Sequence, residues 1–392
     1  MNFTELHAHY VRINEMMKKK GINTDSVTGK EYFTGYEYRT LYDWDQYFES
    51  IVELYLGWDT QYIKNGVEIF LDYQKENGHI QRSTLGCDDQ LSEHVKPFLA
   101  QICLLLYKRE KNLDFLTENY YGRMKKYLLY WLIDRTSSER GLAVWDSAPH
   151  TGMDNQHERA GWWHDCFCEG VDLNAFLVRE CKAFALIADI FGKEDDKALF
   201  TRYAVKIAEA MQTYMWNQED GVFYDIDRRT GKQIHYVYIG LFASLWAQVA
   251  TADQAHGMVE NYLKNERHFY RGFLFPTLSA NEPGYSETKL ADDLGCNWRA
   301  NTWIPTNYYV YHALKLYGYD ELAAELAADT YKNVTQIGDR EYYTTESKTG
   351  CGLNPFWGWS LLAYFMPLED ALGNDPTLLS FEVSDAANIT VL

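Results

Sequence analysis

Apolar residues recur at spacings of three and four along nearly the whole chain, and this helical periodicity constrains the fold more than any other feature. In 171–192, for example, Leu173, Phe176, Leu177, Cys181, Phe184 and Ala185 fall on one stripe. The same pattern predicts helices near 3–20, 43–57, 60–76, 92–108, 113–134, 171–192, 195–215, 235–250, 253–265, 301–317, 319–333 and 356–367. Asp59 and Asp172 stand at helix starts, and Gly35, Gly192 and Gly318 at ends or turns. Strand signals are confined to 222–226, with its Arg228-Arg229-Thr230-Gly231 turn, and to the tail at 381–389. No motif recurs at a fixed period. Paired helices with almost no sheet predict an all-α fold, an (α/α)6 barrel whose long loops form one pocket. A looser helical solenoid is the other arrangement open to this pattern. No Pro-rich or Ser-rich linker divides the chain, so one domain over 1–392 is expected, with a C-terminal strap from about 370.

The rest of the composition narrows the function. The net charge is −19, and the longest basic run is Lys18-Lys19-Lys20, so a polyanionic nucleic acid is not the expected partner. The start, Met1-Asn2-Phe3-Thr4-Glu5-Leu6-His7, lacks the basic-then-apolar pattern of a signal peptide. No apolar run approaches the roughly 18 residues of a membrane span, so a cytoplasmic protein is expected. The seven Cys form no Cys-x-x-Cys pair, and Cys166-Phe167-Cys168 is one residue too tight, so free thiols are expected. His94, His150, His157 and His164 lack metal-ligand spacing, and no phosphate loop or dinucleotide fingerprint appears, so neither metal nor cofactor is expected. Nothing in the sequence specifies an oligomeric state.

The chain holds 31 Tyr, 19 Phe and 12 Trp. Such rings fill cores, and they also stack on sugars while Tyr and Trp keep a polar handle for hydroxyls. They concentrate with acids in four loop segments. The first is Tyr36-Glu37-Tyr38-Arg39-Thr40-Leu41-Tyr42-Asp43-Trp44-Asp45-Gln46-Tyr47-Phe48. One of its two Asp residues suffices to cap a helix, which leaves Trp44-Asp45 for sugar binding. The second runs from Trp145-Asp146-Ser147 through Gly152-Met153-Asp154-Asn155 to Arg159 and Trp162-Trp163. The third holds Glu341-Tyr342-Tyr343-Thr344-Thr345-Glu346 and then Phe356-Trp357-Gly358-Trp359-Ser360, and the fourth is Asn297-Trp298-Arg299-Ala300-Asn301-Thr302-Trp303-Ile304-Pro305-Thr306-Asn307-Tyr308. For each, an ordinary structural reading stands beside the functional one: an Asx turn at Asp154-Asn155, a solvated hairpin at 341–350, core Trp residues.

These segments, in their order along the chain over roughly 30 to 370, resemble glycoside hydrolase family 63 and its relatives, including the family 37 trehalases. Asp43-Trp44-Asp45-Gln46-Tyr47-Phe48 is similar to that group's Trp-Asp-x-Tyr-Phe element, and Gly152-Met153-Asp154-Asn155 to its Gly-x-Asp-Asn element. Asn301 to Tyr308 resembles its Pro-Val-Trp-x-Pro-x-Asn-Tyr element, and Glu341-Tyr342-Tyr343 with Thr349-Gly350 resembles its base loop. The departures are a longer base loop that offers Glu346 as a second acid, Ala300-Asn301 in place of Gly-Pro, and His94-Val95-Lys96-Pro97 in place of Gln-Pro-Pro.

The resemblance implies an (α/α)6 barrel and an inverting α-glycosidase on a small soluble α-glucoside or α-mannoside, of glucosylglycerate, mannosylglycerate or disaccharide type. It implies Asp154 as general acid and Glu341 as general base, with Glu346 as the alternative. Tyr42, Trp44, Asp45, Asn155 and Arg159 are then expected to hold the sugar. Trp145, Trp162 and Trp163 are expected to wall the pocket and to raise the acid's pKa by desolvation, and Trp303, Asn307, Trp357 and Trp359 to complete the walls. Two other readings stay open: a sugar isomerase or epimerase with His94 or His157 as proton carrier, and a non-catalytic carbohydrate-binding protein. Substrate identity is expected to lie in the loops at 28–42, 78–92 and 268–300.

Overall fold

The computed structural model describes residues 3–84, 93–162, 164–290 and 295–380; Cys87, Trp163, part of the loop at 78–92 and the expected tail strand at 381–389 lie outside them. Among the described residues the chain forms fourteen α-helices in the order α1 (Phe3–Lys20), α2 (Asp43–Tyr55), α3 (Gln61–Asp72), α4 (Leu99–Glu110), α5 (Glu118–Leu129), α6 (Ala148–Thr151), α7 (His157–Ala160), α8 (Val171–Ile190), α9 (Glu194–Ala210), α10 (Ala243–Trp246), α11 (Ala252–Met258), α12 (Ile304–Leu316), α13 (Asp320–Ile337) and α14 (Met366–Leu372). No helix among the described residues is long and apolar enough to cross a membrane. The backbone divides into two compact units, one of Met1–Asp134, Arg179–Tyr203 and Phe356–Leu392, the other of Arg135–Val178 and Ala204–Pro355.

In the first unit α2 packs on α4, and α3 packs on α4 and α5. The start of α4 shows how the sequence sets a boundary. The periodicity predicts a helix from 92, but Pro97 disfavours helical backbone at Lys96, and the helix begins at Leu99. Its first-turn amides have no partner within the helix. A distant carboxylate supplies one: Glu180 accepts from the backbone N–H of Ala100 at 2.6 Å and of Gln101 at 3.2 Å, and from the Tyr127 hydroxyl. Burial pushes the Glu180 carboxyl up to about 7 against the pull of these donors. Near the C-terminus, Pro376 and Leu378 give their carbonyls to the Lys108 ammonium, and Thr377 gives its carbonyl to the Arg179 guanidinium. The helix expected over 356–367 is instead a 3-10 turn at Trp359–Tyr364 followed by α14, because Pro367 lacks the N–H a continuous helix needs.

In the second unit α12 packs against α10 and α13. The helix expected over 235–250 shortens to a 3-10 turn, Ile239–Phe242, and α10; Tyr238 before it is extended, and its hydroxyl is drawn into a buried ion-pair cluster. Short strands join the loops. After the first unit's paired β1 (Ile22–Thr24) and β2 (Glu31–Phe33) come β3 (Cys168–Glu169) and β4 (Trp216–Asn217), and the strand expected at 222–226 splits into β5 (Val222–Phe223) and β6 (Asp225–Asp227). β6 pairs with β3 and with β7 (Lys232–Ile234). A second sheet runs β10 (Gly350–Cys351), β9 (Tyr342–Thr344), β8 (Asn301–Thr302), with Thr302 opposite Tyr343 and Cys351 opposite Tyr342. This sheet sets Glu341, the residue before β9, beside the loop that leads into β8.

Candidate active site

The acid loop is shaped by short local devices. Ser147 caps α6 by accepting from His150 N–H at 3.2 Å, and Gly152, at φ +87°, turns the chain out of that helix. Asp154 and Asn155 then form a turn. Asn155 is fully buried; its amide donates to Asn297 Oδ1 at 3.0 Å and its carbonyl oxygen accepts from Trp298 N–H at 2.8 Å. These bonds pin the acid loop to the 295–300 loop. There the backbone N–H of Cys296 donates to Asp154 Oδ2 at 3.1 Å. Asp154 stays half-buried.

Glu341 is 7% exposed. Its Oε2 accepts from Leu353 N–H at 3.0 Å, and its Oε1 lies 3.7 Å from the Cys296 Sγ. Burial raises its pKa, the Leu353 amide lowers it, the charge of Asp154 raises it, and the Cys296 thiol lowers it; the net direction is up. A base working near neutral pH needs such a shift. One cysteine thus touches both carboxyls. Summing its contacts of 3.1 and 3.7 Å with the reach of one residue bounds the carboxyl separation at about 10 Å. That bound admits a paired-carboxylate glycosidase, for which the spacing runs from about 5 to about 9.5 Å. Backbone crowds both groups: a methyl on Gly295 would overlap the Asp154 carboxylate, and one on Gly352 the Glu341 carboxylate.

Glu346, the second acid of the base loop, sits elsewhere. Its carboxylate is 37% exposed, ion-paired to Arg271 Nε at 2.6 Å and bonded to the Tyr285 hydroxyl at 2.9 Å. Neither burial nor contact with Asp154 distinguishes it.

Several residues expected to touch the sugar are scaffold instead. Arg159 has no exposed surface. Its guanidinium donates to Asp172 at 2.8 Å, Asp225 at 2.9 Å, Tyr238 at 2.8 Å and Gln156 at 3.0 Å. A side chain so enclosed shapes the acid loop without reaching a ligand. Trp145 is equally buried and donates its indole N–H to Asp172. Trp303 lies between Trp298 and Tyr342, ring centroids 3.6 and 4.4 Å away, and Asn307 bonds the backbone of Leu274 and Phe275. Trp162 is the exposed ring, 44% open and stacked at 3.5 Å on His157; Trp163 lies outside the described residues. His94, offered as a proton carrier, has both ring nitrogens on backbone groups of Ile80 and Tyr127.

The remaining expected residues gather in the first unit. Asp43 opens α2, and its carboxylate takes the Lys96 amide at 2.8 Å and the Lys96 ammonium at 3.1 Å, so this is the structural acid of the pair. Asp45, two residues on, is buried, with no hydrogen-bond partner for Oδ1 among the described residues. Burial and then the charge of Asp43 push its carboxyl up to about 8. Around it Tyr36 packs edge-on against Tyr42 and Phe356, and Trp44 edge-on against Trp359 at 5.7 Å. Trp357 donates its indole N–H to the Thr34 carbonyl. Sequence reasoning missed Cys296 and the Leu353 amide. A lone cysteine and a backbone N–H carry no pattern by which a sequence could mark them.

A helical chain that sets two carboxyls on either side of one residue has the equipment of an acid/base glycosidase. Residues 38–360 match the mannosylglycerate hydrolase MGH1-like glycoside hydrolase domain, and the chain belongs to that family. It is 24% identical over 212 residues to the mannosylglycerate hydrolase of Rubrobacter radiotolerans, covering 53% of this chain and 46% of that one. The chain's matches span less than half the length of its first curated relatives, 31% and 46%. Among solved structures, the family 63 mannosylglycerate hydrolase of Thermus thermophilus in complex with glucose superposes with a TM-score of 0.74 at 18% identity, over 91% of this chain and 99% of that one. The neutral trehalase of Saccharomyces cerevisiae gives 0.67 at 19% identity, over 89% and 76%. These likenesses establish the fold, the (α/α)6 class expected from the helix pattern, and the family agrees with the motif resemblance.

Proposed function

We propose that this chain hydrolyses a small soluble α-glucoside or α-mannoside, of glucosylglycerate, mannosylglycerate or disaccharide type, with inversion at the anomeric carbon. The observation that carries the reading is the juxtaposition of Asp154 and Glu341 around Cys296. Asp154 protonates the departing glycosidic oxygen. Glu341, ionised, takes a proton from the water that attacks the opposite face of the sugar ring. The raised pKa of Glu341 makes it a stronger base once ionised. The substrate class is supported by two relatives described as mannosylglycerate hydrolases, one of them solved with glucose and one structure of it with D-glycerate.

The test is sugar release from glucosylglycerate, mannosylglycerate, trehalose and kojibiose, with the anomer of the first product read by NMR. We expect one of these to be cleaved with inversion, and Asp154→Asn and Glu341→Gln each to lose about a hundredfold or more, the scale of general acid or base assistance. Glu346→Gln is expected to stay within a few-fold of wild type. A dead Glu346→Gln beside an active Glu341→Gln would move the base. Retention of configuration would replace the inverting mechanism. An epimer or keto-sugar in place of free sugar would overturn the hydrolase reading.

A further inference from the structure

Cys296 sits where neither composition nor motif would place a functional group. Its N–H reaches Asp154 Oδ2 at 3.1 Å, and its Sγ reaches Glu341 Oε1 at 3.7 Å. Gly295 before it, at φ +60°, lets the backbone come this close to Asp154. Gly352, at φ +68°, does the same on the far side of Glu341, where Leu353 N–H takes Oε2. Each carboxyl therefore has one oxygen assigned by this residue.

We infer that Cys296 is a positioning residue that orders both carboxyls of the site: its amide holds the acid and its S–H bond holds the base. This rests on reading Asp154 and Glu341 as acid and base. An amide on Asp154 Oδ2 makes that oxygen the acceptor and favours the acid's proton on Oδ1. On the other side, an S–H donor favours the ionised form of Glu341 over the neutral one. The thiol must stay protonated to donate, and burial together with the charges of Glu341 and Asp154 holds its pKa well above the usual thiol value. Among the described residues, Asp154, Cys296 and the Tyr342 hydroxyl are titratable groups that face Glu341, and Lys289 acts on the thiol. Without the thiol, Glu341 loses one donor that favours its ionised form. Its titration then moves to higher pH, and the enzyme loses activity on the acid side of its profile.

The experiment follows Glu341 itself. Difference infrared spectra between each protein and its Glu341→Gln counterpart isolate the Glu341 carboxylate band across pH, with no substrate present. In Cys296→Ala the midpoint is expected to rise by about half a pH unit, the scale of one weak donor. In Cys296→Ser, which keeps a donor, it is expected at or below the wild-type value. Cys296→Val, which fills the thiol's space without a donor, is expected to match the alanine variant and serves if that variant does not fold. The acidic limb of kcat/KM is expected to move with the midpoint. Identical midpoints in all variants, or an equal rise with serine and alanine, would overturn the inference. If no substrate is cleaved, the hydrolase reading fails on its own, and the infrared titration still decides the role of Cys296.

Discussion

Replacing Arg159 by Met separates a scaffold residue from a sugar ligand. The guanidinium has no exposed surface and joins Asp172 and Asp225, its two carboxylate partners, at 2.8 and 2.9 Å. Burial pushes Asp225 upward, Arg159 pulls it down, and Asp172 pushes it further up. Methionine fills most of the volume but leaves two buried carboxyls without their cation. Removing one partner of a buried pair costs about 3–5 kcal/mol. A second route gives the same size. The cheaper escape is to protonate one carboxyl, and holding a group of ordinary pKa near 3.9 neutral at pH 7 costs about 4 kcal/mol, at 1.36 kcal/mol per pH unit. The pH dependence follows in sign. The variant's carboxyl has a folded pKa above its unfolded one, so its cost shrinks as pH falls, to about 1.5 kcal/mol at pH 5. Urea unfolding of wild type and Arg159→Met at pH 5, 6 and 7 measures this. Arg159→Lys is expected to recover only part of the loss, since one ammonium cannot replace the fork that spans Asp172, Asp225, Tyr238 and Gln156. A loss below about 1 kcal/mol at pH 7, or one that does not shrink toward pH 5, would refute the reasoning. Unchanged stability with a raised KM would return Arg159 to the sugar.

Two further outcomes follow from the site. Gly295→Ala and Gly352→Ala each set a methyl into a carboxylate, at φ values an L-residue disfavours by about 1 kcal/mol or more; kcat is expected to fall at least tenfold while the unfolding midpoint moves little, and unchanged kcat in both would show that neither loop positions its carboxyl. Asp45, at about 8 in the folded chain against 3.8, stabilises the fold fully only below about pH 4 and loses that contribution as pH rises through 8. Asp45→Asn is therefore expected to flatten the stability profile between pH 4 and 8 in a thermal melt series, and a parallel profile would remove Asp45 as its source.

Much of this protein was legible in the linear chain because it is local. Helical periodicity in 171–192 and 319–333 produced α8 and α13 nearly at their expected bounds, since a stripe at three-and-four spacing has one way to be buried. Where the pattern overreached, a single residue overrode it: Pro97 at α4, Pro367 at α14, Tyr238 before α10. The motifs marked Asp154 and both candidates for the base. The proposal of Glu341 over Glu346 rests on burial and a shared neighbour, and these depend on which loops the sheet of β8, β9 and β10 brings together.

The sequence by itself determined the fold class, the family and the short list of acids, because periodicity and motif order survive in one dimension. Only the tertiary structure decided which of those residues meet around one neighbour and which are enclosed in the scaffold. Arg159 and Trp303 look like binding residues on paper, yet the fold spends the guanidinium on two buried carboxylates and closes the indole between two rings. Cys296 looks like a scattered thiol, yet the fold sets it between the carboxyls of Asp154 and Glu341. The physical reason is one throughout: charge, desolvation and hydrogen bonding act over a few ångströms, and residues far apart in sequence come within that distance only when the chain is folded.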